Sequence, residues 1–222
     1  MSSVVELRGA VVLLGRFPAL SGADLRVDEG EVVLTHGPNG AGKTTLLTLL
    51  AGLHPLAGGA GTVLGVDLAT ERRALRTVVG LLGHRTHLYD DLTVLDNARF
   101  WAAAVGAEEL DARRALERVE VEPRLADVAV ERLSAGQRRR VALAMLVVRR
   151  PRLWLLDEPH AGLDESGRDL LDVLVREAAG AGATVVLSSH ELDRAVALAD
   201  RAVLVNGGTI SPSTVGGRLD VA

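Results

Sequence analysis

The sequence predicts an α/β fold: a mostly parallel sheet with helices on both faces, an antiparallel β portion at the N-terminus and an inserted α-helical subdomain. Three observations lead there. Short apolar runs, such as Leu153-Trp154-Leu155-Leu156 and residues 184–188, alternate with helix-length segments, the pattern of strands buried on both faces. The first 36 residues instead hold successive Val- and Leu-rich runs punctuated by Gly, Pro and Asp, the texture of antiparallel strands. Between residues 93 and 150 the chain turns to helix formers.

Taken in order, residues 4–5, 11–14, 25–27 and 32–34 read as strands and residues 44–53 as a helix. Residues 56–61 read as a Gly-rich turn, followed by strands at 62–66 and 78–82. Helices are expected at 94–105, 111–119 and 136–149, separated by Gly106, Pro123 and Pro151. Strand and helix then alternate: 153–156, 164–179, 184–188, 191–199 and 202–205. The tail after Ile210 is polar and Gly-rich, and no second C-terminal domain is expected there. With no repeat or linker in view, residues 1–222 are expected to form a single domain. Residues 1–83 and 151–222 would build the core and 84–150 the helical subdomain.

With 48% hydrophobic residues the chain has ample material for a packed interior. Its net charge is −4 with both signs interspersed and aromatic residues are few, which argues against a nucleic-acid partner. The lack of cysteine excludes disulfides and thiolate metal sites. Residues 1–9 have no basic segment leading into a long apolar one, so no cleaved signal peptide is expected. The longest apolar run, residues 141–148, is well short of the roughly 18 residues that suggest a membrane span. Any membrane association is therefore expected to go through a partner.

The chemistry centres on Gly37-Pro38-Asn39-Gly40-Ala41-Gly42-Lys43-Thr44, a full match to the G-x-x-x-x-G-K-[ST] spacing, set between a predicted strand and a predicted helix that begins with Thr44-Thr45. Such glycines let backbone N–H groups turn toward an anion, and the helix N-terminus behind them adds positive partial charge. Lys43 would reach the β- and γ-phosphates of a nucleotide and the Thr44 hydroxyl would bind Mg²⁺, which defines a P-loop NTPase core. Of the 25 basic residues only Lys43 is lysine; the other 24 are arginine. A lysine kept at this one place suggests a site that needs a compact, flexible point charge.

Two further motifs accompany the loop. The run 153–156 ends in Asp157-Glu158-Pro159, which puts two carboxylates at the C-terminal edge of a buried strand, where open α/β sheets bind ligands. There Asp157 can hold Mg²⁺ through water and Glu158 can orient and polarise an attacking water. Leu133-Ser134-Ala135-Gly136-Gln137 opens an apolar helix, with Ser134 as a natural N-cap and Gly136 allowing a phosphate to approach the helix start. In order and spacing, with the acid pair 20 positions after Gln137, these motifs resemble the ATP-binding cassette (ABC) ATPases over essentially the full chain.

The resemblance implies the remaining roles. In His160-Ala161-Gly162-Leu163-Asp164, Asp164 would reach across a dimer interface, and in Ser188-Ser189-His190 the histidine would contact the γ-phosphate. Two chains would clamp ATP and Mg²⁺ between one phosphate loop and the other chain's Ser134, Ala135, Gly136 and Gln137. That homodimer would drive an integral membrane permease from the cytoplasmic face of the cell membrane, with the docking groove placed around Tyr89, Phe100 and Trp101; these aromatics fit core packing of a helix equally well. Two positions depart from the family pattern. His84, nine residues before Thr93, stands where most members carry a glutamine that contacts the metal, and imidazole is shorter and titratable near neutral pH. The aromatic residue expected to stack on adenine is replaced by Leu14, with Phe17 the nearest ring, and both remain open as the adenine contact. Leu82-Gly83-His84, the segment from Leu92-Thr93-Val94 through Phe100, and LSAGQ with Arg138-Arg139-Arg140 are similar to the ATP-binding subunits of the haem exporters of cytochrome c biogenesis; other small export ATPases come close, and a non-transport cassette clamp ranks last for a single cassette of acidic balance.

Overall fold

The computed structural model describes residues 2–213. In chain order its first elements are β1 (Ser3–Leu14), β2 (Phe17–Asp28), β3 (Val32–His36), α1 (Lys43–Leu50), β4 (Gly58–Val63), β5 (Val66–Asp67) and β6 (Val79–Leu82). The helices α2 (Val94–Ala104), α3 (Glu109–Arg118) and α4 (Ala135–Arg149) follow. The chain then returns to β7 (Leu153–Asp157), α5 (Glu165–Gly180), β8 (Thr184–Ser188), α6 (Leu192–Leu198), β9 (Arg201–Asn206) and β10 (Thr209–Pro212). From residue 214 on, the polar tail lies outside the described residues.

Two sheets result. The first is antiparallel, ordered β2-β1-β4-β5. The runs at 4–5 and 11–14 belong to one strand, because Val5, Leu7, Ala10 and Val12 all turn inward and Gly9, at φ 56°, takes up a register shift between Leu7 and Ala10. The strand expected at 62–66 is split, because the chain turns at Leu64 and Gly65, both at positive φ, and residues 58–61 of the expected Gly-rich turn are already strand. The second sheet is ordered β10-β9-β3-β8-β7-β6 and is parallel except for β10, which runs antiparallel to β9. The polar composition around 209–212 hid that edge strand, whose side chains are mostly exposed.

The parallel sheet is buried on both faces, and successive residues of each strand enter different cores. Val33, Leu153, Leu155 and Val186 pack with α1 and the antiparallel sheet. Leu34, Trp154, Leu156 and Leu187 pack with the helices on the other side. Burying each such leucine is worth roughly 1.5–3 kcal/mol, so the unbroken apolar runs stabilise a two-sided sheet where an alternating run would leave one face wet. Helices α2, α3 and α4 pack on one another between β6 and β7. Their entry is fixed by Thr93, which caps α2, and by fully buried Asn97, whose amide bonds the Tyr89 and Thr93 carbonyls and accepts the Tyr89 N–H.

Parallel register then assembles the site. Thr35 and Asp157 are both paired with Ser188, so the C-terminal ends of β3, β7 and β8 lie side by side. The loops leaving them carry the glycine-rich motif, the acid pair and His190.

Candidate active site

The phosphate loop joins β3 to α1 and is held by close backbone approach. Gly37 sits at φ 139°, and a β-carbon there would lie 2.0 Å from the Val205 carbonyl oxygen; at Gly42, φ 115°, it would lie 2.7 Å from that of Ala19. Neither position admits a side chain. Gly42 is also the N-cap of α1, so no side chain satisfies the first N–H groups of that helix, as an anion site requires. Lys43 is buried and folds back on its own loop, its Nζ donating to the Gly37 and Pro38 carbonyls at 2.8 and 3.1 Å.

Hydrogen bonds join the loop to the acid pair. Thr44 Oγ1 donates to Asp157 Oδ2 at 2.7 Å, and Ser188 Oγ donates to Asp157 Oδ1 at 2.6 Å, so both oxygens of this buried carboxylate are engaged. Glu158 adopts φ 47°, a left-handed conformation unusual for a residue with a β-carbon, and its N–H donates to the Ser188 carbonyl at 3.1 Å. The His190 N–H donates to Glu158 Oε2 at 2.9 Å. Glu158 Oε1 is buried with His190 Nε2 3.2 Å away, and it accepts no hydrogen bond among the described residues.

Asn39, Gly40, Gly42, Lys43, Thr44, Thr45, His84, Asp157, Glu158 and His190 all line one cleft of about 400 Å³, together with Leu14 and Ala19. Phe17 is 79% exposed and does not line it; its strand partner Leu14 does. No group of three or more His, Cys, Asp or Glu side chains able to hold a metal occurs among the described residues. The oxygen pair of Thr44 and Asp157 nonetheless fits a hard, mostly hydrated cation such as Mg²⁺, which takes few protein ligands, whereas the His84 nitrogen suits contact through a water. His36, at the end of β3, has its pKa lowered by burial and then by the Lys43 charge.

The LSAGQ residues stand elsewhere. Ser134 caps α4 in a reciprocal capping box: its Oγ accepts the Gln137 N–H at 3.2 Å and its own N–H donates to Gln137 Oε1 at 2.9 Å. With Gly136, Gln137 and Asp164 it lines a separate cleft of about 490 Å³, while Ala135 lies on a third, beside His84 and Glu158. Asp164 caps α5 and accepts from Arg140 Nη2 at 3.0 Å; that bond first, then the one from the Gly167 N–H, holds its carboxyl below the usual range. Within one chain, then, the signature residues are not part of the cleft formed by the phosphate loop.

Sequence reasoning missed several supporting residues. Ser188 and Asn97 gave no chemical signal, and Arg139 was masked by its neighbours Arg138 and Arg140. Its spacing was the available clue, because Arg139 falls three and four positions before buried Ala142 and Leu143, on the inward face of α4. His160, buried after the acid pair, bonds Asp172 Oδ1 at 2.8 Å, and Arg194 donates to the other oxygen of Asp172 at 2.6 Å.

A phosphate loop, a strand-end acid pair and a helix-capping signature on this two-sheet core define a cassette-type nucleotide hydrolase. The ABC transporter family model matches residues 20–161, and the chain belongs to that family as an ATP-hydrolysing cassette. Among its relatives is the cytochrome c biogenesis ATP-binding export protein CcmA of Bradyrhizobium diazoefficiens, 39% identical over 82% of this chain and 90% of that protein. CcmA of Paracoccus denitrificans is 36% identical over 85% and 83%. The Fe(3+) ions import ATP-binding protein FbpC of Streptomyces coelicolor is 39% identical over 95% of this chain but only 62% of its own length. Among solved structures, an ATP-binding subunit of an ABC transporter superposes with a TM-score of 0.85 at 27% identity, covering 95% of this chain and 90% of its own. A bacterial ABC transporter cassette solved as a dimer gives 0.83 at 25%, with 93% and 96% covered.

Proposed function

We propose that this chain is the nucleotide-binding subunit of an ABC exporter, in which ATP-driven closure of a homodimer works a membrane permease, and that the system is a haem exporter of cytochrome c biogenesis. The observation that carries the hydrolytic part is Glu158: one carboxylate oxygen is held by the His190 N–H while the other is buried without a hydrogen bond at the wall of the phosphate-loop cleft. With His190 Nε2 3.2 Å away as its nearest partner, that oxygen has room to accept the proton of an attacking water. Lys43 would exchange its two loop carbonyls for phosphate oxygens, and His190 would meet the γ-phosphate. Thr44 and Asp157 would hold Mg²⁺, which when bound neutralises charge on the phosphates.

Dimerisation is supported by the placement of Ser134, Gly136 and Asp164 on a cleft other than that of the phosphate loop, from which they would complete a phosphate site of a second chain. The haem-export reading is supported by the two CcmA relatives, 39% and 36% identical over 82% and 85% of this chain, while the iron-import relative at 39% identity marks another transport system as the alternative. Among the described residues no helix is long and apolar enough to cross a membrane, so attachment to the cytoplasmic face would be through the permease. Tyr89 and Phe100, each 45% exposed and 5.0 Å apart edge to face, are suited to that contact. Glu158→Gln tests the reading: it should bind ATP, form an ATP-dependent dimer by light scattering and hydrolyse at least about 100-fold more slowly. Normal hydrolysis would remove Glu158 as the base. Identifying the membrane protein that copurifies with the wild-type chain separates haem export from another transport system.

A further inference from the structure

Arg139 is 6% exposed, yet among the described residues it forms no ion pair. All its hydrogen bonds go to main-chain carbonyls: Nη1 to Gly83 at 2.6 Å, Nη2 to Asp157 and Glu158 at 3.1 and 2.7 Å, and Nε to Pro159 at 3.3 Å. Three successive carbonyl dipoles thus converge on one cation. Such convergence is repulsive by itself, and the left-handed turn at Glu158 is what produces it. The guanidinium fork answers both problems, because it presents several donors in one plane, which an ammonium or an amide cannot match.

The same side chain reaches two other parts of the site. Gly83 immediately precedes His84, which lines the phosphate-loop cleft. Arg139 itself rides on α4, one turn after the signature Ser134. We propose that Arg139 is a positioning residue for hydrolysis: it holds the Glu158 backbone in the conformation that presents its carboxylate, and it ties Glu158 and the His84 loop to the signature helix. This rests on the reading of Glu158 as the base. A displacement of α4, such as docking of a partner at Ser134 would produce, is then transmitted to the base and to His84 through one group. ATP affinity should depend on it little, because it meets Asp157 only at the main-chain carbonyl, whereas the Asp157 carboxylate is held by Thr44 and Ser188.

The test compares full-length wild type with Arg139→Gln and Arg139→Lys, using amide exchange by mass spectrometry, ATP affinity and ATP turnover, with thermal unfolding as the folding check. Arg139→Gln should speed exchange in peptides covering 82–86 and 156–161 together by about tenfold, the scale of losing one hydrogen bond to a charged group. It should lower kcat by about 10- to 100-fold with ATP affinity within about twofold, and Arg139→Lys, which keeps the charge but not the fork, should fall between. Should the glutamine variant not fold, the lysine variant carries the same comparison. Unchanged exchange in either segment, or a kcat that falls only in step with ATP affinity or folded fraction, would overturn the proposal. Normal turnover by Glu158→Gln, measured alongside, would instead refute Glu158 as the base, while the exchange comparison still decides the mechanical link.

Discussion

The phosphate loop and the signature segment each set glycine and a small hydroxyl residue at the start of a helix, yet the two helix starts are finished differently. Helix α1 has glycine as its cap and no side chain on its first N–H groups, whereas α4 closes a full capping box with Ser134 and Gln137. Among the described residues the loop's cation, Lys43, has only neutral carbonyls as hydrogen-bond partners, while Arg140 beside the signature is already paired with Glu120 and Asp164. One region is unfinished without an anion; the other is satisfied alone and exposes Ser134. A binding element must carry that unmet demand, while an element that only visits a neighbour's ligand must be stable when nothing is there.

Changing Lys43 to Ala should break the first region with the largest effect, weakening ATP binding by about 100-fold or more as measured by calorimetry, since it removes the cation that would bind the phosphates. Unchanged affinity would sink that role. At the second region, Ser134→Arg should leave ATP affinity of the isolated chain within about twofold but reduce turnover by about tenfold or more, because only the assembled site uses Ser134. Loss of binding in the isolated chain would mean that the signature acts in cis. A smaller effect belongs to the cleft wall: Leu14→Tyr should tighten ATP by about two- to fivefold through ring stacking on the base. Unchanged ATP affinity would move the adenine contact away from Leu14.

The smallest expected effect comes from His36. Its folded pKa is lowered, so between that value and the ordinary one near 6.5 the unfolded chain binds more protons and stability falls as the pH drops through this window. His36→Gln should therefore lose less thermal stability than wild type between pH 7.5 and 5.5. An equal loss in both would show that other groups set the acid sensitivity.

Most of the fold was legible because its signals are local: apolar runs, turn glycines and the change of texture at residue 93. Two of its misreadings share one cause, an irregularity inside an element, while β10 was hidden by the polar composition of an exposed edge strand. Gly9 bends β1 without ending it, and Leu64 takes a left-handed turn that its side chain does not advertise. In the site, the residues of the phosphate loop, Asp157 and Glu158 carry signals of spacing, His190 enters only through the family resemblance, and Ala19 lines the cleft with no motif signal. Those that hold them in place act through burial and backbone contacts, as Ser188, Asn97 and Arg139 do, and a one-dimensional pattern shows such contacts only where helical spacing points a polar residue inward. Phe17 illustrates the converse, since its nearness in sequence to Leu14 does not bring its exposed ring into the cleft that Leu14 lines.

The central claim is that one catalytic site is assembled from two copies of this chain, a phosphate loop from one and a signature from the other. Mixing Lys43→Ala with Ser134→Arg tests it directly, because each variant lacks a different half. If the site is completed in trans, half of the randomly mixed dimers regain one intact site, and ATP turnover should rise from near zero to as much as about a quarter of the wild-type rate. Turnover that stays at the average of the two separate variants would contradict the shared site.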